Sequence, residues 1–400
     1  MVGRKIGLMG CTALLASAMV IPTADHAIAG SSAKGGNAKV EQKSAVQNQK
    51  ELANPNVQKE LDKLLRPDVQ GAIAYVYDHG KYQGYASGIA DVNTGRKMEA
   101  DYRYRIGSLT KTFIATVVLQ LAGENKLNLD DPVEKWVPGL VQGNGYDGNK
   151  VTIRQLLNHT SGLNDYSMDL FDGSGADILK RIQVTYSPEE LVKKGLKNDP
   201  LFEPGKGLMY TNTNYVLLGI IVEKVTGSTY AQQIERRIIE PLKLNNTFCP
   251  GVNLVVPGAN HSKAYLYHNN ERFDVTDLNP SIAGASGEMI SSGRDLSTFF
   301  SALFGGKLLK PEQMKQMFTT VKSGYDEVPY FGLGIYQMKM PNGELVWGHS
   351  GGIFGSVNGV RASRDGQRVV VVNMNVYTES TGGEEYFNGV YMAGLGLKKK

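Results

Sequence analysis

Ser108 and Lys111 stand three residues apart in the stretch Arg105-Ile106-Gly107-Ser108-Leu109-Thr110-Lys111-Thr112-Phe113. A serine hydroxyl is a weak nucleophile near neutral pH and needs a neighbour to take its proton. An amine one helical turn away is such a neighbour, because positions i and i+3 share a helix face. Residues 114–122 are almost wholly apolar and lack Pro and Gly, so the pattern predicts a buried helix that begins near Ser108. Ser108 then sits at a helix N-terminus, where free N–H groups and the positive end of the dipole stabilise developing negative charge. The S-x-x-K spacing alone is weak evidence. Ser31-Ser32-Ala33-Lys34 has it too, in a stretch with no core-forming residues.

Two further stretches carry groups that could face Ser108. Tyr210-Thr211-Asn212 follows the turn Pro204-Gly205 and runs into an apolar helix at 216–222. The Y-x-N pattern recurs at Tyr267-His268-Asn269 and Tyr386-Phe387-Asn388, but the first copy has a turn before it and a helix after it. His349-Ser350-Gly351-Gly352 ends a strand in small residues that let another backbone come close. His159 lies in Leu156-Leu157-Asn158-His159-Thr160-Ser161-Gly162-Leu163, a helix end with Thr152 as its N-cap and Gly162 as its stop. A histidine there reads as a cap for carbonyls rather than as a catalytic group.

The elements that would hold these residues follow from the rest of the chain. Its 400 residues, 41% hydrophobic and 20% charged, suit one large globular domain or two interleaved lobes. A net charge of +4 with no Lys/Arg stripe gives no reason to expect nucleic acid. Arg4 and Lys5, the apolar run 6–20 and Ala27-Ile28-Ala29 read as a signal peptide cleaved after Ala29, hence a secreted, extracellular protein. Residues 30–55 hold no aromatic and read as a disordered spacer or pro-segment. With Cys11 in the signal, Cys249 is left without a disulfide partner and reads as a small buried residue. No second apolar run is long enough to span a bilayer.

Residues 56–397 form the expected folded domain, with 398–400 a basic tail. A helix is expected at about 56–65. Strands are expected at 71–77 and 81–88, joined by an Asp78-His79-Gly80 turn, and again at 330–338, 345–347, 355–362 and 369–373. Residues from about 108 to 300 read as mainly helical, with Ser187-Pro188-Glu189-Glu190 a clear helix start, and a closing helix is expected at about 381–397. The fold class is therefore α/β (α+β): an antiparallel sheet built from N- and C-terminal segments, flanked by helices, with an inserted all-helical lobe. A cleft between the two is a common place for a substrate.

Taken in order, Ser108–Lys111, Tyr210–Asn212 and His349–Gly351, with gaps of about 100 and about 140 residues, resemble the penicillin-recognising serine hydrolases. That group holds class C β-lactamases, D-alanyl-D-alanine carboxypeptidases and their esterase and D-aminopeptidase relatives. Residues 156–163 and 204–215 match as well, and the resemblance covers roughly residues 57–397. It implies a β-lactamase/transpeptidase-like fold and an acyl-enzyme on Ser108. It implies that Lys111 and Tyr210 carry the proton as a jointly titrating pair. Asn212 is expected to bind the substrate amide and His349 to orient substrate. The oxyanion hole is expected from the N–H groups of Ser108 and Gly352, and substrate contacts from Ser350, Gly351 and Tyr336. The His-x-Gly form is similar to that of secreted carboxypeptidases and D-peptidases, rather than of an efficient β-lactamase.

Carboxypeptidases of this kind place an Arg soon after a Gly-Leu-Gly strand, where this chain has Gly332-Leu333-Gly334-Ile335-Tyr336. The resemblance therefore points to D-stereospecific endopeptidases as well as to carboxypeptidases. It implies D-amino-acid peptides or peptidoglycan stem peptides as substrates, β-lactams as covalent ligands, no metal or cofactor, and a monomer. A carboxylesterase, a β-lactamase proper and a non-catalytic cell-wall-sensing protein are the alternatives on the same scaffold.

Overall fold

In the computed structural model the two ends of the chain meet in one nine-stranded antiparallel sheet. The structure describes residues 54–398 except 171–178, 269–270, 325, 327 and 379–383. The expected signal peptide and nearly all of the expected spacer lie outside the described residues.

The sheet strands are β1 (Gly71–Asp78), β2 (Lys81–Asp91), β3 (Arg96–Lys97), β4 (Val321–Lys322), β5 (Tyr330–Phe331), β6 (Tyr336–Lys339), β7 (Leu345–Ile353), β8 (Ser356–Ala362) and β9 (Arg368–Met374). Their order across the sheet is β4-β5-β6-β7-β8-β9-β1-β2-β3. The register from Ala72↔Met374 to Asp78↔Arg368 joins β1 to β9 and so ties the two ends of the chain together. The helices that matter for the site are α1 (Pro55–Asp62), α2 (Thr110–Gly123), α3 (Ile153–Leu157), α4 (Pro188–Gly195), α5 (Asn212–Thr226), α6 (Gly293–Phe304) and α7 (Asn388–Leu395).

The four valines Val369–Val372 of β9 are all buried, as a strand covered on both faces requires. Alternation explains which helix covers which face. Tyr75 of β1 meets α6 at Gly293, while Val76 and Val370 meet α7 at Gly394 on the opposite face. Helix α2 is buried on nearly every side, and Phe113 stacks on Phe299 of α6 with ring centroids 3.7 Å apart. A helix that is apolar all round must be enclosed.

Local signals set the helix starts. Thr152 with Gln155 and Ser187 with Glu190 form capping boxes at α3 and α4, and Pro188 occupies the first turn of α4. The mainly helical insertion also carries short strand pairs. Arg103–Arg105 pairs with Ile290–Ser292, and Tyr265–His268 pairs with Glu271–Asp274 and with Val376–Thr378. The strand expected over 330–338 is interrupted between β5 and β6. There Leu333 N–H bonds Met317 O and Gly334 N–H bonds Leu157 O instead of a neighbouring strand. The closing helix runs over Asn388–Leu395 after a 3-10 turn at Glu384–Phe387; part of its expected N-terminal end lies outside the described residues. No helix among the described residues is long and apolar enough to cross a membrane.

Candidate active site

Ser108 lies in a 3-10 turn, Gly107–Leu109, that leads directly into α2. Strand β7 passes against this turn with side chains omitted from both backbones. A Cβ on Gly351 would stand 2.1 Å from Ile106 O and 3.1 Å from the Ser108 nitrogen. Gly107 has φ +54°, and a Cβ there would meet Gly352 O at 2.7 Å. Only glycine permits so close an approach. Ser108 is half-buried and Gly352 is exposed, with the Tyr377 ring beside it.

The Lys111 side chain is fully buried. Its Nζ lies 3.0 Å from Ser108 Oγ, 2.7 Å from Asn212 Oδ1 and 2.6 Å from Ser286 O. The orientation of the Asn212 amide is fixed by its other end, because Nδ2 donates to Asp165 Oδ2 at 3.0 Å. Two of the three lysine partners are therefore oxygens that can only accept. Loss of water brings Lys111 down to about 7, against an opposing pull from Asp165. A neutral amine has two hydrogens and one lone pair. Asn212 and Ser286 take both hydrogens, which leaves the lone pair for the proton of Ser108.

Asn212 thus has both ends bound within the protein, and Ser167 Oγ adds a contact to Nδ2 at 3.4 Å. Its amide thereby orients the lysine amine. Tyr210 stands beside the same amine, with Lys111 Nζ 5.0 Å from its ring centroid.

Two separate stretches clasp each other to set Tyr210 and Asn212 at the start of α5. Thr211 is the N-cap, and its hydroxyl and that of Thr213 both donate to Asn164 O, at 3.1 and 2.7 Å. Ser161 Oγ donates to Asn214 Oδ1 at 2.7 Å. His159 Nδ1 accepts from Thr211 N–H at 3.3 Å. This corrects the reading of His159 as a carbonyl cap. Burial pushes the imidazole well below its usual range, so it is neutral, and its Nδ1 works as an acceptor.

His349 is buried, and Nδ1 lies 2.6 Å from Ser350 O. A carbonyl only accepts, so Nδ1 carries the hydrogen and Nε2 the lone pair. Burial brings His349 down to about 3, so it too is neutral. Its ring lies 4.6 Å from that of Tyr336 and 6.3 Å from that of Tyr210. Tyr336 is only 5% exposed and packs on Phe331, so it backs His349 rather than facing a substrate as expected. The Ser350 hydroxyl lies 3.5 Å from Arg361 Nη1, on the strand face opposite Gly351.

The structure also brings in groups that the sequence reading missed. Asp165 lies in the loop after α3, and burial raises its carboxyl above the usual range, while N–H donors and the Lys111 charge oppose that rise. No spacing marks it. The carbonyl of Ser286 has no residue-type signature at all. Among the described residues no group of His, Cys, Asp or Glu is arranged to hold a metal ion.

The chain is similar to known proteins in sequence and in fold. A penicillin-binding protein 4* of Bacillus subtilis (strain 168) is 30% identical over 279 residues, 67% of this chain and 59% of that protein. Protein flp of Staphylococcus aureus (strain N315) is 33% identical over 48% of this chain and 38% of its own length. The chain therefore spans about four to six tenths of these relatives. Among solved structures, a D-stereospecific amidohydrolase from a Streptomyces species superposes with a TM-score of 0.78 at 40% identity, covering 86% of this chain and all of that one. The D-amino acid amidase of Ochrobactrum anthropi SV3, solved with L-phenylalanine amide, gives 0.75 at 25% identity, covering 85% of this chain and 97% of that one. The Beta-lactamase family model matches residues 56–388. A match that runs through almost the whole described chain places this protein in the β-lactamase family of serine hydrolases.

Proposed function

We propose that the protein is a secreted active-site-serine amidase or peptidase that cleaves D-amino-acid-containing amides and peptides through an acyl-enzyme on Ser108. The observation that carries this reading is the buried Lys111 amine, held near neutrality, with both hydrogens committed and its lone pair toward Ser108. The preference for D-substrates is supported by likeness to the Streptomyces amidohydrolase and the Ochrobactrum amidase. Export is supported by the signal-like residues 1–29.

In this scheme Ser108 Oγ attacks the carbonyl carbon and its proton passes to Lys111. The oxyanion is held by the N–H groups of Ser108 and Gly352; losing one such donor typically costs ~3 kcal/mol of barrier. Tyr210, beside Lys111, passes the proton to the leaving amine, and the tetrahedral intermediate collapses to the acyl-enzyme. Water attacks that ester by the reverse proton path and releases the acid. Neutral His349 orients substrate at the mouth of β7, and the bare Gly351–Gly352 edge receives its backbone. β-Lactams enter the same path as slowly released acyl groups. No Arg follows Gly332-Leu333-Gly334 where a carboxylate-binding one is expected, which favours substrates with a blocked terminus over strict carboxypeptidase action.

The test is an activity panel of D- and L-amino-acid amides, D-Ala-D-Ala peptides with free and blocked C-termini, a nitrophenyl ester and a penicillin. Turnover of the D-amides and blocked D-peptides, with the L-forms at least ~100-fold slower, is the expected result. Ester cleavage with D-peptides left intact would make the protein a carboxylesterase, and rapid release of the penicilloyl group would make it a β-lactamase.

A further inference from the structure

We propose that His159 is a positioning residue for Tyr210, acting through the aromatic stack and through the backbone donor next to it. This rests on the proton-carrying role proposed above for Tyr210. The His159 ring lies 4.3 Å from the Tyr210 ring, with planes 31° apart. Lys111 Nζ stands 5.0 Å from that same tyrosine ring. The tyrosine ring thus neighbours both an imidazole and the amine with which it would exchange a proton.

The imidazole is itself over-determined. Its ring is packed by Tyr215 at 5.4 Å and, edge-on, by Phe331 at 5.8 Å. Thr211 N–H can only donate, so the lone pair is on Nδ1 and the hydrogen on Nε2. Asn214 Nδ2 lies 3.4 Å from the same nitrogen. Both partners flank Asn212, so one ring fixes the residues on either side of the group that orients Lys111. The titratable groups that act on it are Lys111 and His349, and both oppose a positively charged imidazole, as does burial.

The backbone agrees. His159 has φ +61°, a left-handed conformation unfavourable to most side chains. It is held there by hydrogen bonds that link its loop to the approach to Tyr210: Met209 N–H to His159 O at 3.0 Å, Gly205 N–H to Thr160 O at 2.8 Å and Leu201 N–H to Gly162 O at 2.9 Å. A plain core aromatic would fill the space but leave Thr211 N–H without its acceptor. Strain held in place by surrounding structure and aimed at reacting groups is the pattern of a functional loop.

The decisive experiment is a double-mutant cycle of His159→Asn and Tyr210→Phe, read as kcat and KM on a D-amino-acid amide together with thermal unfolding. Asparagine tolerates the left-handed backbone, and its Oδ1 can stand in for Nδ1 while the ring is lost. We expect His159→Asn to lower kcat by on the order of 10- to 100-fold with KM within about threefold, since small misplacements of a reacting group cost that much. In the Tyr210→Phe background the same substitution should cost less than about twofold. His159→Gln, which fills more of the ring volume, takes its place in the cycle if His159→Asn is too unstable to assay. Losses that multiply in the double mutant, or a single mutant with wild-type kcat, would overturn the positioning role while leaving the Tyr210 scheme intact. Full activity of Tyr210→Phe alone would instead overturn the scheme on which the inference rests.

Discussion

At neutral pH the Lys111 amine divides between charged and neutral forms, because burial brings it down to about 7. Only the neutral form can take the Ser108 proton, so kcat/KM should rise as pH climbs through about 7. His349 lies at about 3 and stays neutral over the working range, so this limb is not an imidazole titration. The Asp165 carboxylate favours the charged amine. Removing it in Asp165→Asn should therefore move the acid limb of the pH profile to lower pH; an unmoved or raised limb would separate Asp165 from Lys111. At this scale the sequence was legible in the meeting of Ser108, Lys111 and Tyr210, which the structure brings side by side. It was opaque where partners decide the role. Nothing local pairs Asn212 with Asp165 or shows that its amide orients Lys111, and the direction of the His159 bond depends on a donor at Thr211, far along the chain.

Among the elements, β7 and the Ser108 turn succeed only because they touch without side chains. In Gly351→Ala the new methyl would meet Ile106 O at 2.1 Å, so either the strand or the turn must move. Overpacking of this kind costs ~1–3 kcal/mol, and the displacement should remove nearly all activity even where the protein remains folded. Retained kcat in Gly351→Ala, measured on the best amide of the panel, would contradict the contact. Helix α2 carries both Ser108's turn and Lys111, and its seat is the Phe113–Phe299 stack. Phe113→Ala should cost ~3–5 kcal/mol in urea unfolding, the usual loss for a buried phenylalanine. Capping boxes made the starts of α3 and α4 readable from a few neighbouring residues. The break between β5 and β6 was not readable, because Met317 O and Leu157 O, from other elements, draw the backbone out of the strand.

For the molecule as a whole, the site exists because distant segments converge. Ser108 and Lys111 enter just after the N-terminal strands, Asn212 and Ser286 come from the insertion, and Gly351 arrives on a C-terminal strand. The pairing of β1 with β9 closes that circuit. A chain ending at residue 363 would lose β9 and α7 and leave the buried face of β1 exposed; it should show no cooperative thermal unfolding by circular dichroism. A cooperative, active truncation would mean that the ends are dispensable. The antiparallel sheet drawn from both ends was legible, because β-rich apolar runs bounded by turn residues frame a helical middle. The clasp between residues 159–162 and 201–214 was not, since nothing local says which helix start a loop will grip.

The most direct measurement is peptide mapping by mass spectrometry after treatment with a fluorophosphonate, with activity followed in parallel. One adduct, on the peptide that contains Ser108, should accompany complete loss of activity, and Ser108→Ala should be both inactive and unlabelled. An adduct on another serine, or normal turnover by Ser108→Ala, would contradict the assignment of Ser108 as the nucleophile.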